Sequence, residues 1–319
     1  MKRFLYSALA FAFITSTAYA RDTIHIVGSS TVYPFTTTVA EQFSKKTGLP
    51  TPIVESTGTG GGIKIFCSGV GVDTPDIVNA SRTIKDSEVE TCKANGVTPE
   101  EIKIGFDAIV LAMSKEDSDM AISTKNIYKA LAKYVLVDDK FVENTTVAWS
   151  ELDPSLPNIK IEVLGPPPTS GTRDSFVELV LEKHCKKAVK EANMELTPDD
   201  EKKYCKSVRE DGAYVEAGEN DNLIVQKLEA NPNAIGIFGY SFLEENLATI
   251  KSVMIDNIEP TFETISDGTY PISRPLFIYV KKEHIGLVTN IEEFVKEYTS
   301  EEAIGDEGYL IDKGLIPLP

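Results

Sequence analysis

One local pattern recurs along this chain and constrains its fold more than anything else. A short run of β-branched and aliphatic residues leads into a turn of glycine with serine or threonine, and a helix-spaced apolar face follows. The first instance is the run at 23–27, which ends at Gly28-Ser29-Ser30-Thr31; Phe35, Val39 and Phe43 then recur every fourth position toward a stop near Gly48. Fourfold spacing marks one helical face, and glycine just past it marks the end. Residues 52–55 lead in the same way into Ser56-Thr57-Gly58-Thr59-Gly60-Gly61-Gly62, with a helix starting at 63–66. Residues 76–80 run into Ser81-Arg82-Thr83. Residues 159–164 read as a strand before Thr169-Ser170-Gly171-Thr172-Arg173, and Phe176, Leu179, Val180 and Lys183 continue with helical spacing. Strands alternating with helices predict an α/β fold with largely parallel sheets. Residues 104–113, apolar apart from Asp107, read as a strand pair or a crossing segment. Residues 182–219 read as a charged helical insert, 235–238 and 276–280 as strands, and 291–298 as an amphipathic helix.

The N-terminus narrows the compartment. Lys2 and Arg3 flank an apolar run from residue 4 to about 14, and Ala18-Tyr19-Ala20 supplies small residues at a cleavage position. This is the layout of a secretory signal peptide over residues 1–20, and the run is short for a membrane span. The chain is expected to work in the periplasm. Residues 1–20 carry two of the 32 basic side chains and none of the 49 acidic ones, so 30 basic against 49 acidic remain, a formal charge of −19. That excess argues against nucleic acid as a partner. It does not exclude a small anion bound by local donors, because distant surface charge is screened over about 8 Å. The remaining length of about 300 residues predicts two domains. Four cysteines in an oxidising compartment suggest two disulfides among three pairings, and proximity favours Cys67–Cys92 with Cys185–Cys205. Neither pair has zinc or redox spacing, and the scattered His25, His184 and His284 read as structural.

The chemistry lies in the turns. The first N–H groups of a helix have no intrahelical acceptor, and the helix dipole adds about half a positive charge there. Hydroxyls and glycine-exposed amides enlarge that donor set, so such a turn either caps its helix or cradles an oxyanion. Three such turns, at 28–31, 56–62 and 169–173, favour the oxyanion, with Ser29, Ser30, Thr31, Thr59, Gly60, Ser81, Ser170, Gly171 and Thr172 as donors. Arg82 and Arg173 follow donor turns and are candidates for charge-assisted bonds. A carboxylate in the site would accept a proton from phosphate and reject sulfate, which has none to give. Asp107, alone in its apolar run, is the candidate.

These segments resemble the substrate-binding proteins of phosphate ABC importers along essentially the whole chain after the leader. The matching pieces are Gly28-Ser-Ser-Thr-Val-Tyr-Pro-Phe35, Thr57-Gly-Thr-Gly-Gly-Gly-Ile-Lys64, Ala80-Ser-Arg-Thr-Ile84, Ser170-Gly-Thr-Arg173, Ala234-Ile-Gly-Ile-Phe-Gly-Tyr240 and Tyr270-Pro-Ile-Ser-Arg-Pro-Leu276. The resemblance implies a two-lobed periplasmic binding protein fold, each lobe a mixed sheet flanked by helices. It implies a monomer that holds inorganic phosphate between lobes and hands it to ABC permease subunits in the inner membrane. Its ligand contacts fall on Thr31 and its neighbours, on Thr59 and Gly60, and on Ser170, Gly171 and Thr172. The chain path gives one lobe from 21–106 with 274–319 and the other from 107–273, with Gly105 and Gly268 near the crossings. Some members have an aspartate where this chain has Arg82, and an arginine where it has Pro166, so here Arg82 or Arg173 has to supply the charge. No cofactor and no metal are expected. An enzyme is disfavoured, since Gly58 to Lys64 lacks the ending of a nucleotide P-loop and no nucleophile elbow or zinc motif occurs. The alternatives are another oxyanion ligand (sulfate, molybdate, phosphonate or phosphite), a surface phosphate sensor or adhesin, and a secreted phosphatase.

Overall fold

A computed structural model describes residues 21–218 and 221–319; the leader expected over 1–20 lies outside the described residues. The first three apolar runs form parallel strands β1 (His25–Gly28), β2 (Ile53–Ser56) and β3 (Ile77–Ala80), in the order β2-β1-β3. Helices α1 (Tyr33–Thr47) and α2 (Thr59–Phe66) make the crossovers that parallel neighbours require. α1 stops at Gly48, which takes the left-handed conformation of a helix C-cap. α2 starts at Thr59, before the start expected at 63, and so takes in Gly60, Gly61 and Gly62. Close packing explains those glycines: a Cβ on Gly62 would lie 2.5 Å from Gly28 Cα.

Of the two readings of the segment around Asp107, a strand pair or a crossing segment, the second holds. It is one strand, β4 (Pro99–Ser114), and it belongs to both halves of the molecule. The later strands of the main sheet are β5 (Val163–Gly165), β6 (Tyr214–Glu216), β7 (Ile235–Gly239), β8 (Ile250–Ser252) and β9 (Ser273–Lys281). The sheet runs β2-β1-β3-β9-β4-β7-β5-β6, with β8 on β4. β4 pairs antiparallel with β9 over its first part, then lies antiparallel between β7 and β8. β5 is parallel to both β6 and β7. The sheet is therefore mixed rather than largely parallel.

The strand expected over 159–164 is confined to β5, and the insert at 182–219 is not wholly helical. After helices Lys183–Glu191 and Pro198–Cys205 it supplies the edge strand β6. The helix at Ile291–Tyr298 forms as expected, with Ile291, Phe294 and Tyr298 buried. Both disulfides join the cysteines that proximity favoured, Cys67–Cys92 and Cys185–Cys205. The apolar cores divide along β4 and β9. One gathers Phe106, residues on to Ile272, and Ile316; the others gather residues from 24 to 104 with residues from 276 to 315. Among the described residues no helix is long and apolar enough to cross a membrane.

Candidate functional site

All four donor turns lie at the carboxyl ends of strands, where open α/β sheets leave a crevice. At the first, the Ser29 amide donates to Asn79 O at 2.9 Å, which ties the turn after β1 to the end of β3. Asn79 is itself fixed, because Thr36 donates to its Oδ1 at 2.9 Å and shares a 2.9 Å bond with the Tyr298 hydroxyl. At the second turn, Thr59 Oγ1 accepts from the Ser81 amide and bonds the Ser81 hydroxyl, both at 3.1 Å, so the second turn and the Ser81-Arg82 turn form one wall. A Cβ on Gly60 would lie 3.9 Å from Arg82 Nη2. The turn after β5 approaches from the other half: a Cβ on Gly171 would lie 3.9 Å from Ser30 O.

Capping accounts for little of this: Ser29 Oγ accepts a long 3.4 Å bond from the Val32 amide, and no other hydroxyl of the turns caps its helix. The helices that begin at Tyr33, Thr59 and Gly171 have no side-chain cap bond, and their N-cap residues are Val32, Gly58 and Ser170. Elsewhere in the molecule Ser123, Thr197 and Thr261 each accept from an amide of the first turn, as serine and threonine caps do.

A buried latch divides the crevice. Arg274, 5 % exposed, donates through Nη2 to Thr31 Oγ1 at 2.6 Å and to Ser175 Oγ at 2.7 Å. Its Nη1 donates to Glu178 at 2.6 Å, and its Nε lies 3.4 Å from Asp107 Oδ2. Ser175 in turn donates to Asp107 at 3.0 Å and lies 3.3 Å from Thr31. One guanidinium thus spans the first turn, β4 and the helix after the Ser170 turn.

On one side of the latch is a cavity of about 320 Å³. Ser29, Ser30, Gly58, Thr59, Gly60, Ser81 and Arg82 line one wall, and Asp174, Val177, Glu178, Glu182 and Lys206 face them. On the other side a cavity of about 260 Å³ takes in Thr31, Asp107, Gly171, Thr172 and Ser175 with Phe35, Phe242 and Lys313. Arg82 lines the larger cavity with its guanidinium already engaged: it donates to both oxygens of Glu88 at 2.8 and 2.9 Å and to Thr83 O at 3.1 Å. That bond holds the Glu88 carboxyl below the ordinary carboxylate range.

Arg173 turns away from the larger cavity into its own half of the molecule. Its guanidinium lies 4.2 Å over the Tyr214 ring and donates to Pro166 O at 3.3 Å. Asp107 lies behind the latch, on the smaller cavity. Facing the donors of the larger cavity is Asp174, on the wall opposite Ser30. Loss of surrounding water raises its carboxyl above the ordinary carboxylate range, and the nearby Ser30 hydroxyl works against that rise.

Sequence reasoning missed Asp174, Ser175, Glu178, Lys206 and Arg274. The signals were present but faint. Ser175 is one helical turn beyond Gly171 and so shares its face. Arg274 stands at the start of its strand, just ahead of the apolar run 275–280. Of the histidines, none lines either cavity: His25 bonds Glu55, His184 stacks on Tyr128, and His284 bonds buried Asp76.

Residues 14–302 match a family profile described as a PBP superfamily domain. The chain is 33 % identical to protein SphX of Synechococcus elongatus over 299 residues, covering 92 % of this chain and 76 % of that one. It is 30 % identical to the phosphate-binding protein PstS of Staphylococcus saprophyticus, with coverages of 92 % and 79 %. A crystal structure from Planctomyces limnophilus, described as a possible phosphate binding protein, superposes with a TM-score of 0.74 at 31 % identity, covering 94 % of each chain.

Proposed function

Because the chain belongs to the phosphate ABC transporter substrate-binding protein family within the PBP superfamily, we propose that it captures inorganic phosphate between its lobes and delivers it to the permease subunits of an ABC importer. Members of this family bind solutes and are not enzymes. The exported form works in the periplasm as a monomer after cleavage behind Ala20. One lobe comprises 21–106 with 274–319 and the other 107–273; β4 and β9 are the two strands that run between them.

The observation that carries this reading is that turns far apart in sequence line the two neighbouring cavities of one crevice, Ser29, Ser30, Thr59, Gly60 and Ser81 the larger and Thr31, Gly171 and Thr172 the smaller, with Ser170 preceding Gly171. Ser29, Ser30, Thr31, Thr59, Gly60 and Ser81 donate from one lobe, and Ser170, Gly171 and Thr172 from the other. Arg82 adds positive charge through the donors that Glu88 leaves open. Arg173 packs on Tyr214 and Asp107 is held by Ser175 and Arg274, and neither lines the larger cavity. Neutral donors suit this task, since the ion brings its own charge and each bond to it is charge-assisted. Closing the lobes excludes water and strengthens each of those bonds.

Calorimetric titration of the purified protein with phosphate, arsenate, sulfate and phosphite at two pH values tests the assignment. Saturable binding of phosphate at a stoichiometry of one supports it. Preference for sulfate, or no heat with phosphate, removes it.

A further inference from the structure

We propose that Lys206 is a further anion-contacting residue of the larger cavity: its ammonium exchanges the Glu182 carboxylate for the bound oxyanion and supplies, opposite Arg82, the positive charge that Arg173 withholds. This assignment rests on the cavity being the anion site.

The two walls of the cavity differ in chemistry. Ser29, Ser30, Thr59, Gly60 and Ser81 present neutral donors beside Arg82, whereas the facing wall brings three carboxylates, Asp174, Glu178 and Glu182, and one cation, Lys206. An anion that reaches the facing wall is repelled unless positive charge meets it there. Arg173 is stacked on Tyr214, and Arg274 is taken up by Thr31, Ser175 and Glu178. Lys206 is differently placed. Its side chain is 44 % exposed, and its one ion pair among the described residues is to Glu182 Oε2 at 2.9 Å. An ammonium has three donors, so Lys206 keeps two to give.

Glu182 can release it. That carboxylate is 13 % exposed, and stripping it of every cation would be costly. Its other oxygen, however, is held by Lys186, which also pairs with Glu201 at 2.8 Å. Lys206 therefore trades one anionic oxygen for another without leaving Glu182 bare. A lysine suits such an exchange, because its flexible four-carbon stem re-aims a compact charge, whereas the fork of an arginine is set in one plane. The stem itself starts from a fixed point. Lys206 follows Cys205, whose disulfide to Cys185 fastens it to the helix Lys183–Glu191, and Glu182 directly precedes that helix. The insert thus presents a movable cation on a fastened backbone.

The test is calorimetric titration of wild type, K206M, E182Q and the double variant K206M/E182Q with inorganic phosphate, at low and at physiological ionic strength. K206M keeps the apolar stem and loses the charge. It should bind phosphate roughly 3- to 10-fold more weakly at low salt, and the deficit should narrow as salt rises. E182Q frees Lys206 and should bind at least as tightly as wild type. The double variant separates contact from masking. If Lys206 touches the ion, K206M/E182Q binds more weakly than E182Q; if Lys206 only neutralises Glu182, the two bind alike, and the assignment is overturned. A K206M deficit that is equal at every salt concentration overturns it too. Wild-type protein that binds phosphate, together with K206M that matches it, removes Lys206 alone and leaves the cavity standing. Wild-type protein that binds no phosphate overturns the anion cavity and this assignment with it.

Discussion

At the scale of single residues, the same side chain does different work according to what its helix leaves unmet. Ser123 spends its hydroxyl on the amide of Asn126, whereas the hydroxyls of Ser30, Thr59 and Ser170 make no such cap. Thr59→Ala and Ser170→Ala should each weaken phosphate binding by about 1–3 kcal/mol, as expected for a buried bond to a charged group. Ser123→Ala should instead cost about 1 kcal/mol of stability and leave affinity unchanged. Calorimetry beside urea unfolding separates the two, and unchanged affinity in both turn variants would remove those turns from the site. Lys281 offers a second test. It is fully buried and donates to Gly69 O and to Thr74 Oγ1, each at 2.7 Å; burial pushes it down from 10.5 to about 8. Above pH 8 the folded state has lost a proton that the unfolded chain still holds, so stability rises with pH between about 8 and 10.5. The cost of burying the charge is present in full below that window. Relative to Lys281→Met, wild type should gain melting temperature from about pH 8 upward, and a pH-independent difference would mean that Lys281 stays charged. The hydroxyl–glycine turns were legible because their chemistry is local. The direction of Arg173 was not, because it depends on Tyr214, and nothing in the turn announces that ring.

At the scale of elements, legibility followed the same rule. β1, α1 and the helix at Ile291–Tyr298 announce themselves through spacing within one segment. β4 did not, because its two parts obey different environments. Its first part has β9 on one side only, and Glu100, Glu101 and Lys103 reflect that edge; the part from Ile109 onward pairs with β7 and β8 and is apolar as far as Met113. Read alone, residues 104–113 leave a strand pair and a crossing segment equally open, and 99–103 carry no strand signal. Antiparallel pairing of β4 with β9 also depends on residues far away in sequence, which is why parallel sheets were expected. The insert carrying the Cys185–Cys205 disulfide belongs to this scale as well, because the bond holds the segment that delivers Lys206 to Glu182. Replacing both cysteines with alanine should lower stability by about 3 kcal/mol, the chain-entropy value for a loop near 20 residues. Phosphate affinity should change by no more than a few fold, since the donor turns lie outside that loop. Urea unfolding and calorimetry on one sample check both, and an affinity collapse with little lost stability would assign the insert a direct part in binding.

At the scale of the whole molecule, two strands pass between the cores and one buried arginine bridges what they separate. Arg274 is the β9 register partner of Asp107 on β4, so the latch sits at the crossing itself. Gly105 lies beside it, with φ at +149° and a virtual Cβ 2.5 Å from Ile316 O, so β4 and the C-terminal chain meet at van der Waals limits. A guanidinium serves this position because its planar fork reaches several acceptors at once, which a lysine ammonium does with less directional control. In the proposed division Thr31 belongs to one lobe and Ser175 and Glu178 to the other, so opening the crevice would break at least one set of these bonds. The latch therefore favours the closed arrangement before any ion arrives, and apparent affinity scales with the fraction of molecules competent to bind. Removing it taxes binding without touching an ion contact. Arg274→Gln should enlarge the radius of gyration of the phosphate-free protein in small-angle scattering and speed phosphate dissociation roughly tenfold, since affinity changes within one interface fall mostly on the off-rate. Arg274→Lys should lie between. If phosphate-free scattering and dissociation in Arg274→Gln both match wild type, the bridge stabilises the fold and has no part in closure.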